Sequence, residues 1–176
     1  MNAAFLLAAS VFLGAAGGAD LAACPEGTTR VGAPPPDDFA LWCERPGLDG
    51  RPRREGAAKT WYDDGALRLE ESWRDGERDG PFVEYHRNGR KAREGAWAMG
   101  RKDGTWTIWF EDGTVEEVST WRAGIADGPF VAYHRSGSKR VEGRHCGGAQ
   151  CGTWRTFDER GREIGSVRYE EQASTP

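Results

Sequence analysis

The chain has 176 residues with a formal net charge of −4, 38% hydrophobic and 30% charged side chains, 25 glycines and eight tryptophans. That length allows one domain, or one domain with an appendage; the negative balance argues against binding to nucleic-acid phosphates, and the short basic run "RPRR" (Arg51 to Arg54) reads as solvated loop. Eight tryptophans and evenly scattered glycines argue against both a disordered chain and a flexible linker.

The first element is the uncharged run "AAFLLAASVFLGAAGGA", Ala3 to Ala19. Its length and the small residues at its end read as the apolar core of a signal peptide over 1–19, cleaved after Ala19, although no Lys or Arg precedes it. The expected location is therefore exported: periplasm, outer envelope or secreted. Residues 20–54 form a leader containing Cys24 and Cys43. "LAAC" (Leu21 to Cys24) also resembles a lipobox, which would make Cys24 an acylated N-terminus and the chain a lipoprotein; membrane association is expected only in that case. Cysteine arithmetic favours two local disulfides, Cys24 with Cys43 and Cys146 with Cys151, since acylation would orphan Cys43. The first would fold the leader over the next element as a cap, with Trp42 as a plug.

From 55 to 170 the sequence repeats. "DGPFVEYHRNG" at Asp79 returns as "DGPFVAYHRSG" at Asp127, with nine of eleven letters identical. Gly56, Gly80, Gly104, Gly128 and Gly152 fall 24 residues apart, as do Gly65, Gly89, Gly113, Gly137 and Gly161. Three aromatic series keep the same period: Phe82, Trp106, Phe130, Trp154; Trp61, Tyr85, Trp109, Tyr133, Phe157; and Trp73, Trp97, Trp121. A fixed period over five units without an insertion marks a repeat architecture.

Each unit reads as a β-hairpin. "PFVEYH" is β-branched and aromatic, Asn-Gly in "RNG" favours a tight turn with positive φ, and "RKAREGAW" returns as the second strand. "GRKDG" and "AGIADG" are expected to turn the chain into the next unit. The fold class is therefore all-β: an elongated, single-layer antiparallel meander of about ten strands over 55–170, with a disordered tail at 171–176. Since one hairpin cannot bury enough apolar surface, neighbours must stack, and the aromatic series become the core. Phe82, Trp106, Phe130 and Trp154 are expected to stack ring on ring, with Gly95 and Gly143 leaving room for flat rings. Phe82 and Tyr85 are three apart, so either a bulge intervenes or both faces are partly covered.

Phrases such as "DGTWTIWFEDGTVEEVSTWRAG", with the pattern G-x-W/F-x-x-Y/W/F-x-x-x-G, resemble the MORN-type repeat in its bacterial variant, a group that includes proteins labelled as toxin–antitoxin antitoxins. The resemblance covers about Glu55 to Tyr169. It implies a single-layer antiparallel sheet and a binding or scaffolding role, with no catalytic residues to carry over.

The residues themselves point the same way. His86 and His134 share a phase two units apart, about 19 Å by strand spacing, too far for a shared metal ion. His145, Cys146 and Cys151 supply only three ligands, and export would oxidise the thiols. Asp79, Asp103 and Asp127 each precede a turn glycine. No enzyme, metal or cofactor is expected. His86, Arg87, His134 and Arg135 are the candidate contact residues for a protein partner in an exported binding or immunity role; the alternative is an envelope-surface protein contacting lipid or glycan.

Overall fold

The computed structural model describes residues 24–170. The signal-peptide expectation for 1–19 and the tail at 171–176 lie outside them. The described chain is all strand and turn, with every strand in one sheet. Its leader contributes β1 (Thr29–Ala33), β2 (Ala40–Pro46) and β3 (Pro52–Arg54). Five hairpins follow: β4 (Gly56–Trp61) with β5 (Leu67–Arg74), β6 (Glu77–Tyr85) with β7 (Lys91–Ala98), β8 (Arg101–Trp109) with β9 (Val115–Arg122), β10 (Ile125–Tyr133) with β11 (Lys139–Cys146), and β12 (Ala149–Phe157) with β13 (Glu163–Tyr169). Spatial order follows chain order, β1-β2-β4 through β13, every pair is antiparallel, and β3 pairs β2 alone. At about 4.8 Å per strand this open ladder is roughly 50 Å across its strands.

The leader packs Pro25 against Gly56 of the first repeat, but its strands do not fold over that repeat as a cap. It extends the sheet: the start of β2 pairs β4 through Ala40↔Thr60 and Leu41↔Lys59, while its end pairs β3. Trp42 is accordingly a member of the sheet's aromatic row and not a plug.

The Asn-Gly turn is tight with positive φ as expected, whereas the turn between units lies earlier than expected, and a bulge explains why. At the Asn-Gly turn only Gly89 takes positive φ (77°); Gly89 N donates to His86 O at 2.9 Å and His86 N to Arg90 O at 2.8 Å. This is a three-residue loop ended by a left-handed glycine. The turns with positive φ at both central residues lie between units, at Asp75-Gly76, Met99-Gly100, Ala123-Gly124 and Gly147-Gly148. "RKDG" is consequently strand, not turn: Lys102, Asp103 and Gly104 lie in β8, and the pairing slips there, Ala96 facing Asp103 but Glu94 facing Thr107. Gly104, at φ 75°, supplies the left-handed residue of that bulge. A second slip recurs beside each aromatic of the Trp61 series, for example between Glu84 and Tyr85.

Pairing and the period-two alternation of strands assign the faces. Phe82 lies opposite Glu71 and Gly95 on one face, whereas Val83 lies opposite Glu70 and Glu94 on the other, which Tyr85 shares. Both faces therefore carry aromatic rows, which resolves the spacing of Phe82 and Tyr85. The Phe82 face holds most of the core: Ala58, Phe82, Trp106, Ala132 and Trp154 are buried.

Candidate interaction surface

The Phe82 face is built in pairs of units. Phe82 meets Trp106 at 5.2 Å between ring centroids, and Phe130 meets Trp154 at 5.3 Å. Each pair closes over a glycine of the strand between, Gly95 or Gly143, and any Cβ there would collide with the indole. The same phase holds Glu71, Ser119 and Val167 in the other three positions. Ser119 stands in register with both Trp106 and Phe130, so the expected unbroken column divides into two ring pairs separated by a buried hydroxyl. A 48-residue superperiod thus overlies the 24-residue one, and it is the distance between the near-identical phrases at Asp79 and Asp127. In each pair the tryptophan also fastens a bulge: Trp106 Nε1–H donates to Ala96 O at 3.2 Å and Trp154 Nε1–H to Arg144 O at 3.1 Å.

Beside this row runs a second one in which cations lie between rings. The Arg54 guanidinium sits 4.6 Å from the Trp42 ring and 4.9 Å from Trp73. Arg78 sits 5.1 Å from Trp73 and 5.6 Å from Trp97. Lys102 Nζ sits 4.4 Å from Trp106 and 4.6 Å from Trp121, and burial lowers its pKa. Arg78 also donates from Nε to the buried Glu71 carboxylate at 2.7 Å. Sequence reasoning recognised the tryptophans but missed these cations. Their signal was present: Arg54, Arg78 and Lys102 keep the 24-residue offset.

The opposite face is polar between its rings. Lys59 Nζ reaches Glu70 at 2.7 Å, and Tyr85 Oη–H donates to the same carboxylate at 2.8 Å. Burial pushes Glu70 up, but these two partners outweigh it and hold its pKa below the usual value; burial and then Glu70 itself push Tyr85 well upward. Lys91–Glu94 and Lys139–Glu142, each at 2.7 Å, continue the pattern. Trp61, Tyr85, Trp109, Tyr133 and Phe157 are all half-buried.

The candidate contact residues lie along the loop flank and are tied between units. His86 Nε2 bonds Trp109 O at 3.0 Å and His134 Nε2 bonds Phe157 O at 2.9 Å; Tyr62 Oη–H donates to Tyr85 O at 2.8 Å in the same phase. Arg87 pairs with Asp63 at 2.6 Å and covers the Tyr62 ring, and Arg135 pairs with Asp112 at 3.7 Å and covers Phe110. The histidines are half-buried stitches, while the arginines remain exposed at the surface. Turn geometry also occupies the carboxylates: Glu55, Asp79 and Asp103 accept the amides of Asp75, Met99 and Ala123 at 2.8, 3.2 and 3.1 Å, and Asp127 pairs with Arg122.

Both expected disulfides are formed, Cys24–Cys43 and Cys146–Cys151. They fit an oxidising compartment. With Cys146 and Cys151 bonded to each other, no thiolate remains beside His145 for a metal, and among the described residues no three His, Cys, Asp or Glu side chains converge as ligands.

Residues 102–123 match the family model of the MORN repeat variant. The matched segment is β8 from Lys102 onward, its loop, β9 and the first residue of the following turn, most of one 24-residue unit of the ladder. The flanking hairpins repeat its glycine and aromatic positions, so the repeat resemblance read from the sequence stands for this unit directly and for the others by internal similarity. A comparison with curated proteins finds no match.

Proposed function

We propose that the chain is an exported, non-catalytic binding module whose sheet engages a protein partner, within which class an immunity or antitoxin-like role against an envelope or secreted target is the sharpest form. One observation carries the reading: five half-buried rings, one per repeat, stand on a sheet face against which the described chain packs no second layer. Tyr and Trp rings are favoured interface anchors, and the Lys–Glu pairs between them are already neutralised within the sheet. The MORN repeat variant match supports a scaffold role, and the two disulfides support export. The engagement of the turn carboxylates supports the absence of catalysis, since each already serves the backbone or an ion pair.

The test is capture of envelope and secreted proteins on the purified, oxidised chain. One stoichiometric protein, released by alanine at Trp109 or Tyr133, supports the reading. Saturable binding to glycan or lipid vesicles without any protein would replace it with the envelope-surface alternative.

A further inference from the structure

Along the sheet, ring and cation alternate strand by strand. Trp42 in β2, Arg54 in β3, Trp73 in β5, Arg78 in β6, Trp97 in β7, Lys102 in β8 and Trp121 in β9 form one row. The next two places belong to Ala126 in β10 and His145 in β11. Trp121 pairs across the strands with Ala126 just as Trp73 pairs with Arg78. The row therefore keeps its ring at Trp121 but loses the cation that would follow it.

The far wall of this place keeps its ring packing. His145 meets Phe130 at 5.5 Å and Trp154 at 5.0 Å, both edge-on; Trp97 meets Phe82 at 6.0 Å and Trp106 at 5.1 Å in the same way. Ser119 occupies the phase of Glu71, the acceptor for Arg78, and its buried hydroxyl accepts Trp121 Nε1–H at 3.0 Å. Trp121, Ala126 and His145 are each half-buried, so part of every wall still faces solvent.

We infer that the slot beside Ala126, between Trp121 and His145, takes an arginine side chain from the partner polypeptide. The chain supplies its own template: under the 48-residue superperiod Ala126 is the counterpart of Arg78, not of Lys102. A guanidinium is the cation that stacks on flat rings and still donates hydrogen bonds in its plane. The chain's net charge of −4 favours a basic visitor. This inference rests on the binding-module reading and gives the partner its chemistry.

The experiment follows the indole N–H signals of the full oxidised chain by NMR during titration with acetyl-Gly-Arg-Gly-amide and with its neutral citrulline twin. The arginine peptide should shift Trp121 saturably, and the citrulline peptide should bind roughly tenfold more weakly. Ala126→Arg, which fills the slot from within, should abolish the shift, and Trp121→Leu, which removes one wall, should weaken binding by a similar factor. No saturable shift at Trp121, an equal response to citrulline, or binding that survives Ala126→Arg overturns the inference. If a captured protein partner is held equally well by Ala126→Arg, the slot is refuted while the binding module stands. If the peptide binds as stated and no protein partner exists, the slot stands and the module reading fails.

Discussion

Gly95 lies flat beneath the indole of Trp106, with no room for even a methyl group between them. Its φ is not left-handed, so backbone freedom is not what glycine supplies here; the absence of a side chain is. Gly143 has the same relation to Trp154. Gly95→Ala and Gly143→Ala should each destabilise the chain by about 2–3 kcal/mol, the cost of overpacking a closed contact. Gly165→Ala is the control, because nothing lies within 4 Å of a Cβ there. It should be neutral or slightly stabilising, with urea midpoints as the readout.

Arg78 is 43% exposed, but the Glu71 carboxylate it serves is only 4% exposed. Removing the guanidinium leaves that carboxylate without its charge partner inside the sheet face. Arg78→Met should cost about 2–3 kcal/mol, less than a fully buried pair because solvent reaches the arginine side. Arg78→Lys should recover part of the loss through charge, though not the planar contact with Trp73 and Trp97. Equal stability of Arg78→Met and the parent would show that water already satisfies Glu71.

The repeat period, the strands and the aromatic rows were legible in the sequence because glycine and ring spacing alone carry them. The faces were not, because assigning them needs the register, and the register depends on bulges that a periodic pattern does not reveal. Asp-Gly at 103–104 reads as a turn locally, yet two-residue turns at Met99-Gly100 and its equivalents leave it within a strand, where the glycine serves the bulge. The break between Trp106 and Phe130 was written in one letter, Ser119 in place of glycine. The cations between the rings were overlooked because exposed charges in strands ordinarily read as solvated surface.

The two disulfides close loops of different length, with 19 and 5 residues of separation. Chain entropy assigns about 3 kcal/mol to Cys24–Cys43 and about 2 kcal/mol to Cys146–Cys151. Paired serine variants, Cys24→Ser with Cys43→Ser and Cys146→Ser with Cys151→Ser, should lose stability in that order in denaturant titrations. Mass spectrometry of exported material should find no free thiol and no acyl group on Cys24. An acylated Cys24 would reverse the assignment of the leader.

Glu70 has a folded pKa below its ordinary 4.5. A depressed carboxylate contributes stability that is present above its unfolded pKa and is lost as pH falls through the folded one. Acid titration should therefore show stability steady above about pH 4.5 and declining below it. Glu70→Gln should flatten part of that decline. Tyr85→Phe removes the phenolic donor and should cost about 0.5–1.5 kcal/mol near neutrality while moving the acid limb upward in pH. An acid limb unchanged by both substitutions would mean that other carboxylates control it.

Met99 holds φ at 48°, Ala123 at 49° and Asp75 at 51°, each as the first central residue of a turn whose second is glycine. Side chains other than Asn, Asp and Gly are strained in this region by about 1 kcal/mol. Met99 is also exposed, so its apolar side chain gains little from burial. Met99→Asn should stabilise the chain by about 0.5–1 kcal/mol, and Met99→Gly by less, because glycine also loosens the unfolded state. The amide of residue 99 remains available to Asp79 in both variants, so Asp79→Ala should cost about 1 kcal/mol in each background. Additive effects in the double variants would show that turn strain and carboxylate capping act independently. A fall in stability with Met99→Asn would mean that the methionine makes contacts that outweigh its strained backbone.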